Sequence, residues 1–337
     1  MQHMQIYKDI HESVLKSEKI VIVSHKSPDG DSIGSSMGLF HFLQKMGKNT
    51  VVCHPDPAPD FLKWVEGSEG ISVHETNREQ VENAVLEADL LICLDLNSPG
   101  RVGKEMEPLL RSFQGLKVVI DHHIDPDMGY FDLVLSNTSV ASTSELVYEY
   151  IVGSGNEEML DTRIGTPIYL GIMTDTGSFR YPSVRPETHE ILANLLRIGV
   201  VHYSVHERVF DTNTIDRLKL RGYALSEKLD LIPARPIAYI AMTASELERF
   251  NYRKGDTEGL VNQALSVEGI MVAAFFSEKD GVVKISFRSK GEYFVNQLAS
   301  DHFEGGGHKY AAGGISYEGI TSAVDKFRSV IDHYFPQ

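Results

Sequence analysis

The chain has 337 residues, of which 42% are hydrophobic and 23% charged, a composition typical of a soluble globular protein with one large or two smaller domains. Its formal net charge of −15 argues against a protein that binds long duplex nucleic acid through a basic surface. No apolar run approaches the roughly 20 residues of a membrane span, and the N-terminus lacks a secretory signal, so we expect a cytoplasmic protein without membrane contact. Cys53 and Cys93 lie in apolar segments and are expected to be buried free thiols.

The first half of the chain alternates between strand patterns and helix patterns. Short, continuously apolar runs are typical of strands covered on both faces, and they occur at 19–24, 49–54, 88–95 and 116–123. A helical pattern follows the first of them and ends at Gly47, a residue type favoured just after a helix. This alternation predicts an α/β domain over residues 1–190, with a parallel sheet and helices on both of its faces.

The second half predicts a smaller domain of mixed structure. A helical connector is predicted at 191–218 and an α/β domain at 219–337. Strand patterns occur at 235–243, 269–278 and 281–289, and the last two are separated by the turn sequence EKDG. Helical patterns flank these strands, so the fold class of this domain is also α/β.

Acidic and histidine side chains stand where four apolar segments of the first domain end. His25, Asp29 and Asp31 follow the run at 19–24, and Asp95 ends the run at 88–95. Asp121, His122 and His123 end the run at 116–123, and Asp175 ends a further apolar segment that begins at 166. Each group alone is more often a polar turn or a helix cap, with Asp31 as the cap of the first helix. Because ligand sites of open α/β sheets form at the carboxyl ends of strands, three of these segments are expected to meet at one edge, where the fourth can join them.

The ligand types then indicate the chemistry. Carboxylates and imidazoles without a thiolate favour Mn²⁺ or Mg²⁺ over a structural zinc ion. The set is larger than one ion with an open position needs, and it fits two ions that share a bridging carboxylate, for which Asp95 is the candidate. We therefore predict two divalent metal ions, with Mn²⁺ preferred because Mg²⁺ accepts imidazole less readily.

These segments also resemble a known family. HKSPDGDS at 25–32, Asp95, DHH at 121–123 and TDTGSFRY at 174–181 resemble the four motifs of the DHH phosphoesterase superfamily. FEGGGHKYAAGG at 303–314 resembles its C-terminal DHHA1 domain. The resemblance spans nearly the whole chain and is strongest to the nanoRNase group, the bifunctional oligoribonucleases and PAP phosphatases.

The resemblance implies roles for the motif residues. It implies one ion held by His25 and Asp29, a second held by Asp31, His122 and Asp175, and Asp95 as the bridge between them. It also implies that His123 lies near the scissile phosphate and that Asp121 orients His122.

A substrate site is predicted in the second domain. Glycines allow backbone N–H groups to approach a phosphate closely, and His308 follows the triplet Gly305, Gly306 and Gly307. Arg288 offers a planar donor group that matches phosphate oxygens. Taken alone, the triplet is more often a plain turn and Arg288 is equally well an exposed strand residue, but the resemblance favours substrate binding for both.

The resemblance implies a phosphohydrolase that degrades very short oligonucleotides, from dinucleotides to a few nucleotides, to nucleoside 5′-monophosphates. It also implies conversion of 3′-phosphoadenosine 5′-phosphate (PAP) to AMP. The alternatives are a phosphodiesterase of cyclic or linear di-AMP (pApA), an inorganic pyrophosphatase, and a nucleotide sensor without catalytic activity. The sequence leaves open the cleavage polarity, the choice between RNA and DNA, and whether the chain forms a homodimer.

Overall fold

A computed structural model describes residues 2–335 of the chain. The helices are α1 (Gln2–Lys16), α2 (Gly30–Lys45), α3 (Arg78–Glu87), α4 (Glu107–Ser112), α5 (Thr143–Gly153), α6 (Thr162–Asp175), α7 (Pro186–Arg197), α8 (His202–Phe210), α9 (Ile215–Glu227), α10 (Ala244–Arg249), α11 (Leu260–Leu265), α12 (Asn296–His302) and α13 (Ile320–Tyr334). The strands are β1 (Lys19–Val23), β2 (Asn49–His54), β3 (Ser72–Val73), β4 (Leu90–Leu94), β5 (Leu116–Asp121), β6 (Leu133–Ser136), β7 (Leu229–Leu231), β8 (Ile237–Met242), β9 (Val272–Lys279), β10 (Val282–Ser289), β11 (Gly306–His308) and β12 (Ala311–Ser316).

The chain forms two compact units that meet in sequence between Thr212 and Asn213. Helices α7 and α8 belong to the first unit and α9 belongs to the second. The segment 191–218, predicted as a helical connector, is therefore helical over most of its length and is shared between the two units.

The first unit contains a sheet of parallel strands in the order β3-β2-β1-β4-β5-β6. Alternate strand residues point to opposite faces, and both faces are buried. Ile20 and Ile22 of β1 pack with α2, α5 and α6, whereas Val21 and Val23 pack with α3 and α4. The predicted parallel sheet with helices on both faces is confirmed. In this sheet β1, β4 and β5 are neighbours, and the strand order reverses beside β1.

Two helices of this unit approach each other closely because glycines line their contact. A Cβ atom on Gly34 of α2 would lie 2.5 Å from the carbonyl oxygen of Pro167 in α6 and 2.8 Å from the amide nitrogen of Gly171. A Cβ on Gly30 would overlap the side chain of Thr174 in the same way. The close approach therefore brings the first turn of α2 beside the last turn of α6, where Asp175 lies.

The second unit contains a mixed sheet in the order β11-β12-β10-β9-β8-β7, in which β8 and β9 are parallel and the other neighbours are antiparallel. The predicted turn between β9 and β10 is confirmed, with Asp280 and Gly281 at φ values of 52° and 76°, as a tight hairpin requires. Helices α12 and α13 cover one face, and α9, α10 and α11 cover part of the other. Gly306 and Gly307 of the triplet lie in the edge strand β11, so the triplet is not the plain turn that such a triplet more often forms.

The state of the two cysteines and the lengths of the apolar helices follow from the structure. Cys53 and Cys93 are free and buried, as predicted. Within residues 2–335, no helix is both long enough and apolar enough to cross a membrane.

The contact between α2 and α6 generates a stability prediction. Gly34→Ala should lower the free energy of unfolding by about 1–3 kcal/mol, because the added Cβ meets backbone atoms that cannot rotate away. Trp64 is the sole tryptophan of the chain and lies in the first unit, so urea unfolding followed by its fluorescence measures the change.

Gly70→Ala is the matched control. Gly70 is an exposed glycine of the same unit, outside the left-handed region, and a Cβ there meets no atom within 4 Å. Its substitution should leave stability unchanged or raise it slightly, since alanine restricts the unfolded chain. Equal stability of the two variants would show that the helix contact tolerates a methyl group.

Candidate metal centre

Three neighbouring strands of the first sheet end in potential metal ligands. His25 follows β1, Asp95 follows β4 directly, and Asp121 is the last residue of β5, with His122 and His123 immediately after it. Because these strands are parallel neighbours, their carboxyl ends lie at the same edge of the sheet, as predicted. Asp95 has a φ of 58°, in the left-handed region that residues other than glycine adopt at a cost in energy.

The first turn of α2 supplies two more carboxylates. Asp29, not Asp31, is the N-cap of this helix, and its Oδ1 accepts hydrogen bonds from the backbone N–H groups of Asp31 (3.1 Å) and Ser32 (3.0 Å). The same oxygen lies 3.7 Å from Nε2 of His25. Capping thus fixes the Asp29 carboxylate beside the end of β1 and leaves Asp31 inside the first turn.

The N-terminus of α5 holds the carboxylate of Asp31. The backbone N–H groups of Thr143 and Ser144 donate to its two oxygens at 2.6 Å and 2.9 Å. The hydroxyl of Thr143 donates to Oδ1 of Asp95 at 3.1 Å. The positive end of the helix therefore stabilises carboxylates of the same chain.

Ser142 caps α5 by accepting a hydrogen bond from the N–H of Glu145. No sequence pattern connects Thr143 with Asp31 or Asp95. The run of hydroxyl residues at 142–144 was a signal for a helix start, but its partner lies more than 40 residues away in the chain and is set by the fold.

Among the described residues, three groups of side chains bring potential ligand atoms within 4.8 Å of one another. They are His25, Asp29 and Asp95; Asp31, His122 and Asp175; and Asp95, His122 and His123. The fold thus brings together all the metal ligands predicted from the sequence, and Asp95 takes part in two of the groups.

The imidazole groups are oriented by specific contacts. Nδ1 of His25 lies 2.9 Å from the carbonyl oxygen of Lys26, which can only accept, so Nδ1 carries the proton. Its Nε2 then faces Oδ2 of Asp95 at 3.2 Å. Nε2 of His122 lies 3.3 Å from Oδ2 of Asp175 and 3.5 Å from Oδ1 of Asp95.

Asp121 differs from the expectation. Its Oδ1 lies 2.7 Å from Nδ1 of His123, whereas the resemblance implied that it orients His122. Asp121 is the last residue of β5, and the chain leaves the strand at His122, which allows the ring of His123 to reach the Asp121 carboxylate. Asp121 is fully buried and is therefore a positioning partner for His123.

The crowding of acids shifts their protonation. Burial, together with the neighbouring charge of Asp95, raises the pKa of Asp31 to about 7. Burial and the charge of Asp31 likewise raise the pKa of Asp175 well above its usual value. Burial disfavours the charged form of His122, but the charges of Asp175 and Asp95 outweigh it and raise the pKa of His122 to about 9.

These shifts have one cause, an excess of negative charge in a buried volume. The raised pKa values mean that this surplus of negative charge favours the binding of positive charge, either as protons or as metal cations. The donor set contains only carboxylate oxygens and imidazole nitrogens. Its groups overlap, because Asp95 belongs to two of them and His122 to two. The residues therefore fit divalent cations held in adjacent positions.

The second unit brings two other predicted site residues together. Ala311 of β12 pairs with Arg288 on one neighbouring strand and with His308 on the other. Directly paired residues project to the same face of a sheet, so Arg288 and His308 flank the small Ala311 in one row, roughly 10 Å across. Along this face, residues of β10, β11 and β12 are exposed or half-buried, whereas the alternate residues are mostly buried.

The three glycines before His308 differ in their surroundings. A Cβ on Gly305 would overlap the backbone of Gly313, and one on Gly307, at a φ of 139°, would lie 2.6 Å from the carbonyl oxygen of Ala311. A Cβ on Gly306 would meet no atom of the chain within 4 Å. The fold thus requires glycine at 305 and 307, while at 306 its absence of a side chain leaves open space.

Each of the two units matches the model of a known domain family. Residues 19–172 match the model of the DHH family N-terminal domain, and residues 237–337 match that of the DHHA1 domain. The bifunctional oligoribonuclease and PAP phosphatase NrnA of Thermus thermophilus is 30% identical in an alignment that covers 90% of this chain and 89% of that protein. The cyclic-di-AMP phosphodiesterase GdpP of Geobacillus thermodenitrificans is 26% identical over 97% of this chain, which spans 49% of that protein.

A solved crystal structure has the same fold as this chain over nearly its full length. The crystal structure of an exopolyphosphatase-related protein from Bacteroides fragilis has a TM-score of 0.94 and 38% identity, covering 98% of this chain and 96% of that one. Since the matches span both units and the motif residues meet at one sheet edge, the chain belongs to the DHH phosphoesterases with a DHHA1 domain, hydrolases that act on phosphoester bonds.

Proposed function

We propose that the chain hydrolyses very short oligonucleotides to nucleoside 5′-monophosphates and converts PAP to AMP, using two divalent metal ions. The observation that carries this proposal is the overlap of the ligand groups: the buried Asp95 is grouped with His25 and Asp29 on one side and with His122 on the other, and His122 is also grouped with Asp31 and Asp175. The similarity to NrnA over 90% of the chain supports the substrate class. The net charge of −15 favours small anions held by a few local groups over long polyanions.

The proposed ions are Mn²⁺ in preference to Mg²⁺. His25 and His122 are members of the ligand groups, and imidazole suits Mn²⁺ better than Mg²⁺, which prefers oxygen ligands and retained water. His25 and Asp29 would hold one ion, and Asp31, His122 and Asp175 the other, with Asp95 between them.

Hydrolysis forms a bond between a water oxygen and phosphorus and breaks the bond to the ester oxygen, which leaves with a proton. Bound divalent ions supply the positive charge that neutralises the phosphoryl oxygens and lowers the pKa of the attacking water. The side chain of His123, fixed by Asp121, would hydrogen-bond the phosphoryl group. The N-terminus of α5 keeps the carboxylates of Asp31 and Asp95 in place throughout.

The second unit is proposed to bind the rest of the substrate. Arg288 and His308 flank Ala311 on an open face, and a phosphate group matches a guanidinium paired with an imidazole. Gly306 leaves room for a backbone approach at the same edge. Short substrates suit such a site because only a few local groups recognise them.

One alternative has a specific observation in its favour. The similarity to GdpP extends over 97% of this chain and includes both units. Hydrolysis of linear di-AMP uses the same chemistry as hydrolysis of any other dinucleotide. Parallel assays with a dinucleotide, PAP, linear di-AMP and cyclic di-AMP decide between the two activities.

The shared ligand generates the first functional prediction. Asp95→Ala should reduce dinucleotide hydrolysis with Mn²⁺ by more than about a hundredfold, beyond the loss expected for an outer contact, because both ions lose a carboxylate. Asp29→Ala should reduce it less, since this half-exposed side chain serves one ion. Metal content by atomic emission and steady-state kinetics measure the two effects.

Asp60→Ala is the control, because Asp60 is an exposed acid that pairs with Lys63. It should keep both the metal content and the rate of the unaltered protein. If Asp95→Ala retains two ions and a near-normal rate, Asp95 is not the bridging ligand.

The second functional prediction separates the units. His308→Ala or Arg288→Ala should keep the metal content but lower kcat/KM for PAP and dinucleotides by roughly ten- to a hundredfold, the loss of one charged hydrogen bond. Hydrolysis of bis-p-nitrophenyl phosphate should fall much less, since this ester has no nucleotide. Kinetics on both substrates measure the contrast.

Lys279→Ala provides the matched control, a cation of the same sheet at the far end of the β9–β10 hairpin. It should change neither substrate's kinetics. Equal losses on both substrates in the His308 and Arg288 variants would place these residues in the chemistry itself, and unchanged kinetics would remove them from the substrate site.

A further inference from the structure

Two aromatic side chains of the second unit stand on its surface as a contacting pair. Phe294 and Tyr310 are 42% and 43% exposed, and their ring centroids lie 5.6 Å apart at an interplanar angle of 61°. Nζ of Lys309 lies 5.4 Å from the centroid of the Phe294 ring. In contrast, Phe276, Phe287 and other rings of this unit are fully buried in its core.

The backbone fixes this pair beside the row of Arg288 and His308. Lys309 and Tyr310 form the connection between β11 and β12, directly after His308 and before Ala311. The N–H of Ser289, the residue after Arg288, donates to the carbonyl oxygen of Tyr310 at 3.0 Å. The N–H of Val295, the residue after Phe294, donates to the carbonyl oxygen of Lys309 at 2.8 Å.

These two hydrogen bonds attach the connection to the end of β10 on one side and to the start of α12 on the other. The aromatic pair is therefore held on a defined backbone and adjoins the proposed phosphate-binding row. Tyr310 is two residues from His308 along the chain, and its carbonyl oxygen is hydrogen-bonded to the residue after Arg288, so the pair is close to this row along the backbone.

We propose that Phe294 and Tyr310 bind a nucleobase of the substrate by stacking, with Lys309 contributing positive charge beside it. The inference rests on the proposed function and names the part of the substrate that the second unit recognises. Exposed aromatic rings with an adjacent cation are the usual means of binding single-stranded nucleotides, because every base offers a flat π surface. Stacking tolerates all bases but favours the larger purine rings.

The size and charge of the patch favour a nucleobase over a protein partner. A stable protein interface buries about 800 Å² on each partner, far more than two half-exposed rings provide. Cationic or neutral side chains flank Tyr310, with His308 and Lys309 before it in the chain and Arg288 across the sheet, while the exposed acid Glu292 lies two residues before Phe294. This combination matches a base attached to a phosphate.

The test compares substrates that differ only in the base. The substrates are an adenine dinucleotide and a dimer of the same sugar–phosphate backbone that lacks both bases. The variants are Tyr310→Ala, Phe294→Ala and the double variant, and the metal-loaded full chain is used throughout. We expect KM for the dinucleotide to rise at least about fivefold in the double variant, with kcat changed little, and KM for the abasic dimer to rise much less.

Two further variants sharpen the result. Tyr310→Phe keeps the ring and should recover most of the affinity for the dinucleotide. Tyr317→Ala removes another exposed tyrosine, 63% exposed and directly beyond the other end of β12, and should have no effect on either substrate.

The outcomes separate this inference from the proposed function. If the unaltered chain hydrolyses the dinucleotide and the abasic dimer with equal kcat/KM, the function stands and the stacking site is refuted. Equal losses on both substrates in the Ala variants would also refute it. If the unaltered chain hydrolyses neither dimer, the proposed function fails and the inference fails with it. A change of oligomeric state in sedimentation, with KM unchanged, would assign the pair to an interface between copies.

Discussion

The first unit depends on the confinement of several carboxylates to one buried volume. Asp31 and Asp95 are almost completely buried, and Asp175 lies beside them. Negative charges at this distance repel strongly where water is excluded, so the unit must supply compensation. It does so through the N–H groups that begin α5 and through the imidazoles of His25 and His122.

The packing of α2 against α6 contributes to this confinement of carboxylates. Because Gly30 and Gly34 allow α2 to approach α6, the acidic first turn of one helix lies against the acidic end of the other. Placed with α5, these helices bring groups from three separate parts of the chain to the carboxyl ends of β1, β4 and β5. Phosphoester cleavage explains this density of ligands. A negative phosphoryl group can enter such an acidic site only if cations are bound there, and carboxylates and imidazoles are the groups that would hold them.

The second unit is proposed to have the opposite task, which is to present cations and flat surfaces to an anion. Its sheet is covered by helices over β7, β8 and β9, while one face of β10, β12 and β11 stays open. Small residues, Ala311 and Gly306, occupy the space near Arg288 and His308. The edge strand thus combines access with fixed geometry, which a flexible glycine loop would not provide.

The sequence by itself determined the α/β class, the parallel first sheet and the full set of potential metal ligands. It could do so because buried parallel strands read as continuous apolar runs and their carboxyl ends collect at one edge. The tertiary structure alone decided that Asp29 caps α2, that Thr143 holds Asp31 and Asp95, and that Asp121 contacts His123. It also decided that the glycine triplet leads into a strand. These contacts join residues by packing and pairing across the fold, and no local pattern encodes which partner a hydroxyl or carboxylate will meet.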